Sequence, residues 1–137
     1  MKLLKQLYQI DSKSGQEAEI KRLVLDQLEG LPLTVVEDAF GNLFITKGQA
    51  DHYPCVAAHL DEVHQPSVRH LQEADGMIFA TDEKEERVGI GADDKNGVWI
   101  ALRLLHEVET LKVAFFVQEE KDGELSGCRG SRACDLA

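Results

Sequence analysis

A chain of 137 residues, 43% apolar and 29% charged, is long enough to bury one core and ordinary enough in composition to be a single globular domain. Its 25 acidic and 15 basic residues give a formal net charge of −10. That argues against nucleic acid or an anionic membrane as partner, because both need a basic face. Cys55, Cys128 and Cys134 form no CxxC pair and are odd in number, which speaks against a disulfide framework and for a reducing, cytoplasmic compartment. No stretch approaches the roughly 20 apolar residues of a membrane span, and the N-terminus lacks the apolar core of a signal peptide.

Leu3, Leu4 and Leu7 stand at helical spacing and predict a short amphipathic helix over residues 2–9. Asp11–Gly15 breaks it. Ser14 followed by Glu17 has the form of a capping box, so a second helix is expected to start there, with Ile20, Leu23, Val24 and Leu28 as its apolar stripe and Gly30 as its stop. Residues 33–37 and 43–46 are β-type runs joined through Asp38-Ala39-Phe40-Gly41-Asn42, a hairpin signal.

The run 54–60 is short, apolar and bounded by Pro54, as suits a strand buried on both faces. In it Cys55 reads as a small buried hydrophobe. Residues 68–72 and 77–81 flank Ala74-Asp75-Gly76 and predict a second hairpin, and 82–87 (DEKEER) reads as a solvated loop. A third helix is expected from Asp94 or Lys95 to about Glu109, with Val98, Ala101, Leu102, Leu105 and Val108 on its apolar face. Residues 112–118 form another apolar strand, and 122–137 a loop and the first turns of a helix. Buried strands separated by a helix imply parallel strands with a right-handed crossover.

Three groups of metal-competent side chains sit where a buried segment emerges into a loop. They are His59-Leu60-Asp61-Glu62, Gly89-Ile90-Gly91-Ala92-Asp93-Asp94-Lys95-Asn96-Gly97, and Glu119-Glu120. Read singly, each has a plain explanation. Asp93-Asp94 is an acidic helix start, His59 a loop histidine and Glu119-Glu120 solvated surface. The glycines before Asp93 do not form a phosphate cradle, since two carboxylates there would repel a phosphate, and the pattern lacks the Gly-Lys-Ser/Thr that such a loop needs. An EF-hand fails because an apolar helix follows, and His59 and His64 lack HExxH spacing. What remains is a paired-metal site of mixed His and carboxylate ligands at one edge of a parallel sheet.

In this order the motifs His59-Leu60-Asp61, Gly91-Ala92-Asp93-Asp94-Lys95-Asn96-Gly97 and Gln118-Glu119-Glu120 resemble those of the co-catalytic dinuclear zinc exopeptidases, the superfamily of peptidase T and the carboxypeptidase G2-like enzymes. The segment GADDK is similar to peptidase T, and Val117-Gln118-Glu119-Glu120 to the glutamyl aminopeptidase-type members. The resemblance spans residues 14–130 and implies an α/β fold of three layers, α/β/α, around a mixed, mainly parallel sheet. It implies His59 as ligand of one zinc, Asp61 as the carboxylate that holds its imidazole, and Asp93 as the bridge between two zinc ions, with a cis peptide after it. Glu119 would be the general base and Glu120 a ligand of the second zinc; cobalt or manganese could replace zinc. The implied activity is hydrolysis of amide bonds in small peptides, foremost as an aminopeptidase. Two other readings stay open: a metal-binding module without turnover, and an amidohydrolase of N-acyl amino acids.

The family pattern also calls for a later Asp or Glu, a histidine near the C-terminus and a lid or dimerisation domain. Asp135 lies too near Glu120 to serve, and no histidine follows His106. The 137 residues are therefore expected to be the N-terminal part of a peptidase catalytic domain, truncated. A half-sheet with an open apolar edge is expected to self-associate into homo-oligomers. His52, His64, His70 and His106 are expected at the surface or in loops, and Trp99 in packing.

Overall fold

The computed structural model describes residues 1–63, 68–121, 123 and 125–134. His64 and Asp135, the expected loop histidine and the rejected ligand, lie outside them. The elements in chain order are α1 (Lys2–Gln9), α2 (Ala18–Leu28), β1 (Leu33–Glu37), β2 (Leu43–Lys47), β3 (Cys55–His59), β4 (His70–Ala74), β5 (Met77–Thr81), β6 (Arg87–Val88), α3 (Ala92–Glu107), β7 (Leu111–Phe116) and α4 (Arg129–Ala133). The last residue of the charged run 82–87 is thus strand and not loop. Asp82 Oδ1 accepts the N–H groups of Lys84 and Glu86 and closes the turn that returns Arg87 to β5. There the Arg87 guanidinium lies 4.3 Å over the Phe79 ring.

Four strands form a mixed sheet in the order β1-β2-β7-β3, and β4-β5-β6 form a small separate one. β1 with β2 and β2 with β7 are antiparallel, whereas β3 with β7 is parallel, Ala57 opposite Ala114 and His59 opposite Phe116. The unit β3–α3–β7 supplies the crossover that a parallel pair requires. Alternate residues of the strands (Leu43, Ile45, Ala58, Val113, Phe115) face one cluster with Leu7, Ile20, Val24, Leu28, Val98, Ala101, Leu102 and Leu105 of the helices. Trp99 packs against this cluster. On the opposite face Phe44 and Phe116 meet edge to face, with centroids 6.3 Å apart.

Two expectations are corrected here. β3 is not buried on both faces: Cys55 and Ala57 are exposed and Ala58 is buried. Among the described residues β7 flanks β3 on one side only, and Cys55 and Ala57 alternate onto the face away from the helical core. Ser14 does not cap α2, which begins at Ala18 without a side-chain cap. Glu17 is drawn elsewhere: its carboxylate accepts the N–H groups of Gly15 (2.8 Å) and of Gln118 (3.0 Å), 101 positions away. Tertiary bonding overrides the local motif. Among the described residues no helix is long and apolar enough to cross a membrane.

Candidate metal centre

Parallel pairing brings the C-terminal ends of β3 and β7 to the same edge of the sheet. Leu60 N–H donates to Phe116 O (2.8 Å), so the chains leaving both strands run on side by side. Asp61, almost wholly buried, then joins them: Oδ1 accepts Glu119 N–H and Oδ2 accepts Glu120 N–H, each at 2.9 Å. Asn42 braces the same turn from the hairpin side, its Oδ1 accepting Val117 N–H and its Nδ2 donating to Gly130 O.

The third segment arrives ahead of α3. Gly91 takes the left-handed conformation (φ 65°), Asp93 and Asp94 depart from helical angles, and the Asp93–Asp94 peptide is cis. Regular helix follows from Lys95, as the apolar spacing predicts. Asp94 ties this turn to β3: Oδ2 accepts His59 N–H (3.2 Å) and Oδ1 accepts Gly97 N–H (3.0 Å). A Cβ on Gly97 would stand 2.3 Å from Asp94 Oδ1, so glycine is what allows that approach.

His59 is at the centre. Its Nδ1 lies 2.9 Å from the backbone oxygen of Asp61 and 3.5 Å from the carboxylate Oδ1 of the same residue. Both of these Asp61 oxygens thus face Nδ1, the backbone oxygen the closer and the carboxylate the charged one. Nε2 points the other way, 3.1 Å from Asp93 Oδ1 and 3.8 Å from Glu119 Oε2. One ligand atom from each of His59, Glu119 and Glu120 can be chosen so that all lie within 4.8 Å of one another. The Asp93 side chain, 88% exposed, sits at the mouth of this group.

The charges here are unbalanced. Burial disfavours the imidazolium of His59, yet hydrogen bonds with Asp61 and Asp93 and the fields of Asp61 and Glu119 push its pKa up to about 9. Burial raises the Glu120 carboxyl, and the carboxylates of Glu119, Asp93 and Asp61 add to that against the opposing pull of His59. Burial also acts to raise Asp61, but its bonds to His59 and to the N–H groups of Glu119 and Glu120 win and hold it low. One imidazole fixed through Nδ1, with carboxylates gathered round Nε2, is a donor set that fits a divalent cation such as zinc.

Some residues of the motifs have positions that spacing alone did not disclose. Glu62 and Lys95, both about 1% exposed, form a buried ion pair at 2.9 Å. Arg69 joins Glu62 at 2.7 Å, Ser12 N–H donates to it at 3.1 Å, and the Lys95 ammonium also donates to Ile10 O. Burial works to raise the Glu62 carboxyl, but Arg69 and Lys95 outweigh it and keep it ionised. The acidic residue after His-Leu-Asp and the lysine after Asp-Asp were its only traces in the sequence. Cys128 is the other: its thiol lies 3.3 Å from Glu119 Oε1.

No protein-family model and no curated protein matches the sequence. Solved structures do match. The chain is similar to a tripeptidase from Staphylococcus aureus (25% identity, TM-score 0.70, covering 86% of this chain and 35% of that one). It is also similar to the aminopeptidase PepT from Bacillus cereus (28% identity, TM-score 0.74, covering 96% and 38%). An aminoacylhistidine dipeptidase from Vibrio alginolyticus shares the fold (22% identity, TM-score 0.62, covering 92% and 30%). The fold is that of the dinuclear zinc exopeptidase superfamily, to which these structures belong. The chain spans between 30% and 38% of the length of these three neighbours.

Proposed function

We propose that the chain is the N-terminal part of the catalytic domain of a zinc-dependent metallopeptidase that hydrolyses small peptides, foremost as an aminopeptidase. The observation that carries this reading is the convergence of His59, Asp61, Asp93, Glu119 and Glu120 at one sheet edge, around a histidine whose Nε2 faces only carboxylates among the contacts described. His59, Asp93 and Glu120 would hold metal, with Asp93 shared between two ions. Asp61 would keep the imidazole oriented through Nδ1 while it fixes the backbone of Glu119 and Glu120. Bound zinc supplies Lewis acidity and a more acidic water. Glu119, with Oε2 turned toward His59, would accept the proton of the attacking water and pass it to the leaving amine.

A second reading, a metal-binding module without turnover, is favoured by one feature: among the described residues the centre contains a single histidine and otherwise carboxylates. The three free thiols support a reducing, cytoplasmic setting. Both β1 and β3 flank only one neighbour among the described residues, and Val35 and Val36 of β1 are exposed, which supports assembly into homo-oligomers.

Zinc stoichiometry after stripping and reconstitution tests the proposal. Zinc held by the wild-type chain and lost in His59→Ala is the expected result; a chain that binds none overturns it. Where two ions are held, peptides with free and with blocked N-termini separate an aminopeptidase from an N-acyl amidohydrolase.

A further inference from the structure

After Glu120 the chain turns back, and residues 127–130 lie against the extension of β7. Cys128 N–H donates to Glu119 O at 2.6 Å and Arg129 N–H to Gln118 O at 2.9 Å. The approach leaves no room for side chains on the flanking glycines. A Cβ on Gly127 would stand 2.5 Å from Glu119 O, and one on Gly130 would stand 2.1 Å from Val117 O. Between them Cys128 adopts the left-handed conformation (φ 59°, ψ 31°), uncommon for a residue with a Cβ. Cys128 is half-buried, and in this position its Sγ lies 3.3 Å from Glu119 Oε1.

The two oxygens of Glu119 therefore have different surroundings: Oε1 accepts a hydrogen bond from the Cys128 thiol, and Oε2 lies 3.8 Å from His59 Nε2. We propose that Cys128 is a positioning residue for Glu119, its thiol holding Oε1 so that Oε2 is presented to the metal side of the centre. This rests on the metal-centre reading above. A glutamate side chain has three rotatable bonds and a broad terminal torsion, so a donor on one oxygen decides where the other points. Serine in place of Cys128 keeps a donor there. Alanine removes it and leaves the backbone bonds of residues 128 and 129 intact.

Two measurements on the full chain, with Cys55→Ser and Cys134→Ser so that a single thiol remains, decide the matter. In the infrared the S–H stretch of Cys128 is expected below that of a free thiol, and to move up in Glu119→Ala. Zinc affinity, measured by chelator competition, is expected to fall about tenfold in C128A and to be largely retained in C128S, because one Glu119 oxygen lies within 4.8 Å of ligand atoms of His59 and Glu120 and, held there, adds its negative charge to the cation's surroundings. An S–H band unmoved by Glu119→Ala, or equal zinc affinity in C128A and its parent, overturns the proposal. Equal losses in C128A and C128S also overturn it, since they would mark a packing role. If the parent binds no zinc, the metal reading fails, and the infrared band alone then decides the contact.

Discussion

At His59 the cost of burying an imidazolium is set against the carboxylates of Asp61, Asp93 and Glu119, and the carboxylates prevail, with a pKa of about 9. In the metal-free protein this raised value contributes stability that is fully present below the ordinary pKa of 6.5 and is lost as pH rises through about 9. On the proposed reading a metal ion held by His59 would displace that proton from Nε2. Zinc affinity is therefore expected to rise about tenfold per pH unit between about pH 6 and 8, with about one proton released per bound ion. Competition titrations in that range check this, and a flat profile would contradict it. Glu62 works in the opposite sense. Its lowered pKa contributes stability that is present above its ordinary 4.5 and lost on further acidification. The nearness of His59, Asp93 and Glu119 was legible because each adjoins an apolar run that ends at the same sheet edge. Cys128 was not legible, because a cysteine between glycines in a polar loop has no periodicity, and only the fold-back of residues 127–130 takes it to Glu119. The buried ion network of Glu62, Lys95 and Arg69 was not legible either, since each finds its partners more than six positions away.

Among the elements, the helices and the β1–β2 hairpin follow their apolar spacing closely, because that spacing is what packs them on one face of the sheet. Side-chain bonds to backbone follow other rules. Glu17 leaves the expected capping box for Gln118, and Asn42, which local sequence marks merely as a turn residue, holds two distant segments. Asn42 is fully buried, and its replacement by alanine would leave Val117 N–H and Gly130 C=O without that partner. A loss of about 2–4 kcal/mol is expected in urea unfolding. A loss below about 0.5 kcal/mol would show that the turn is held by other contacts. Burial of β3 on both faces was misread for a related reason: an apolar run reveals that a strand is present, but its position within the sheet depends on which other strands pair with it.

For the whole molecule, the edges of β1 and β3, each with one neighbour among the described residues, favour association and the net charge of −10 opposes it. Sedimentation at micromolar concentration is expected to show self-association that strengthens with added salt, as screening removes the repulsion; a monomer at every concentration and ionic strength would refute this. The strand order has a consequence for how the chain is made. β2 and β3 have β7 between them, so the last of the described strands to be translated is the one that joins them. On the ribosome the first hairpin and β3 emerge early, and roughly sixty more residues must follow β3 before Phe116 exists. At about 5–20 residues per second this is a delay of several seconds. Throughout it β2 and β3 lack the strand that pairs with both, and Leu43, Ile45 and Ala58 lack the part of their core that Val113 and Phe115 supply.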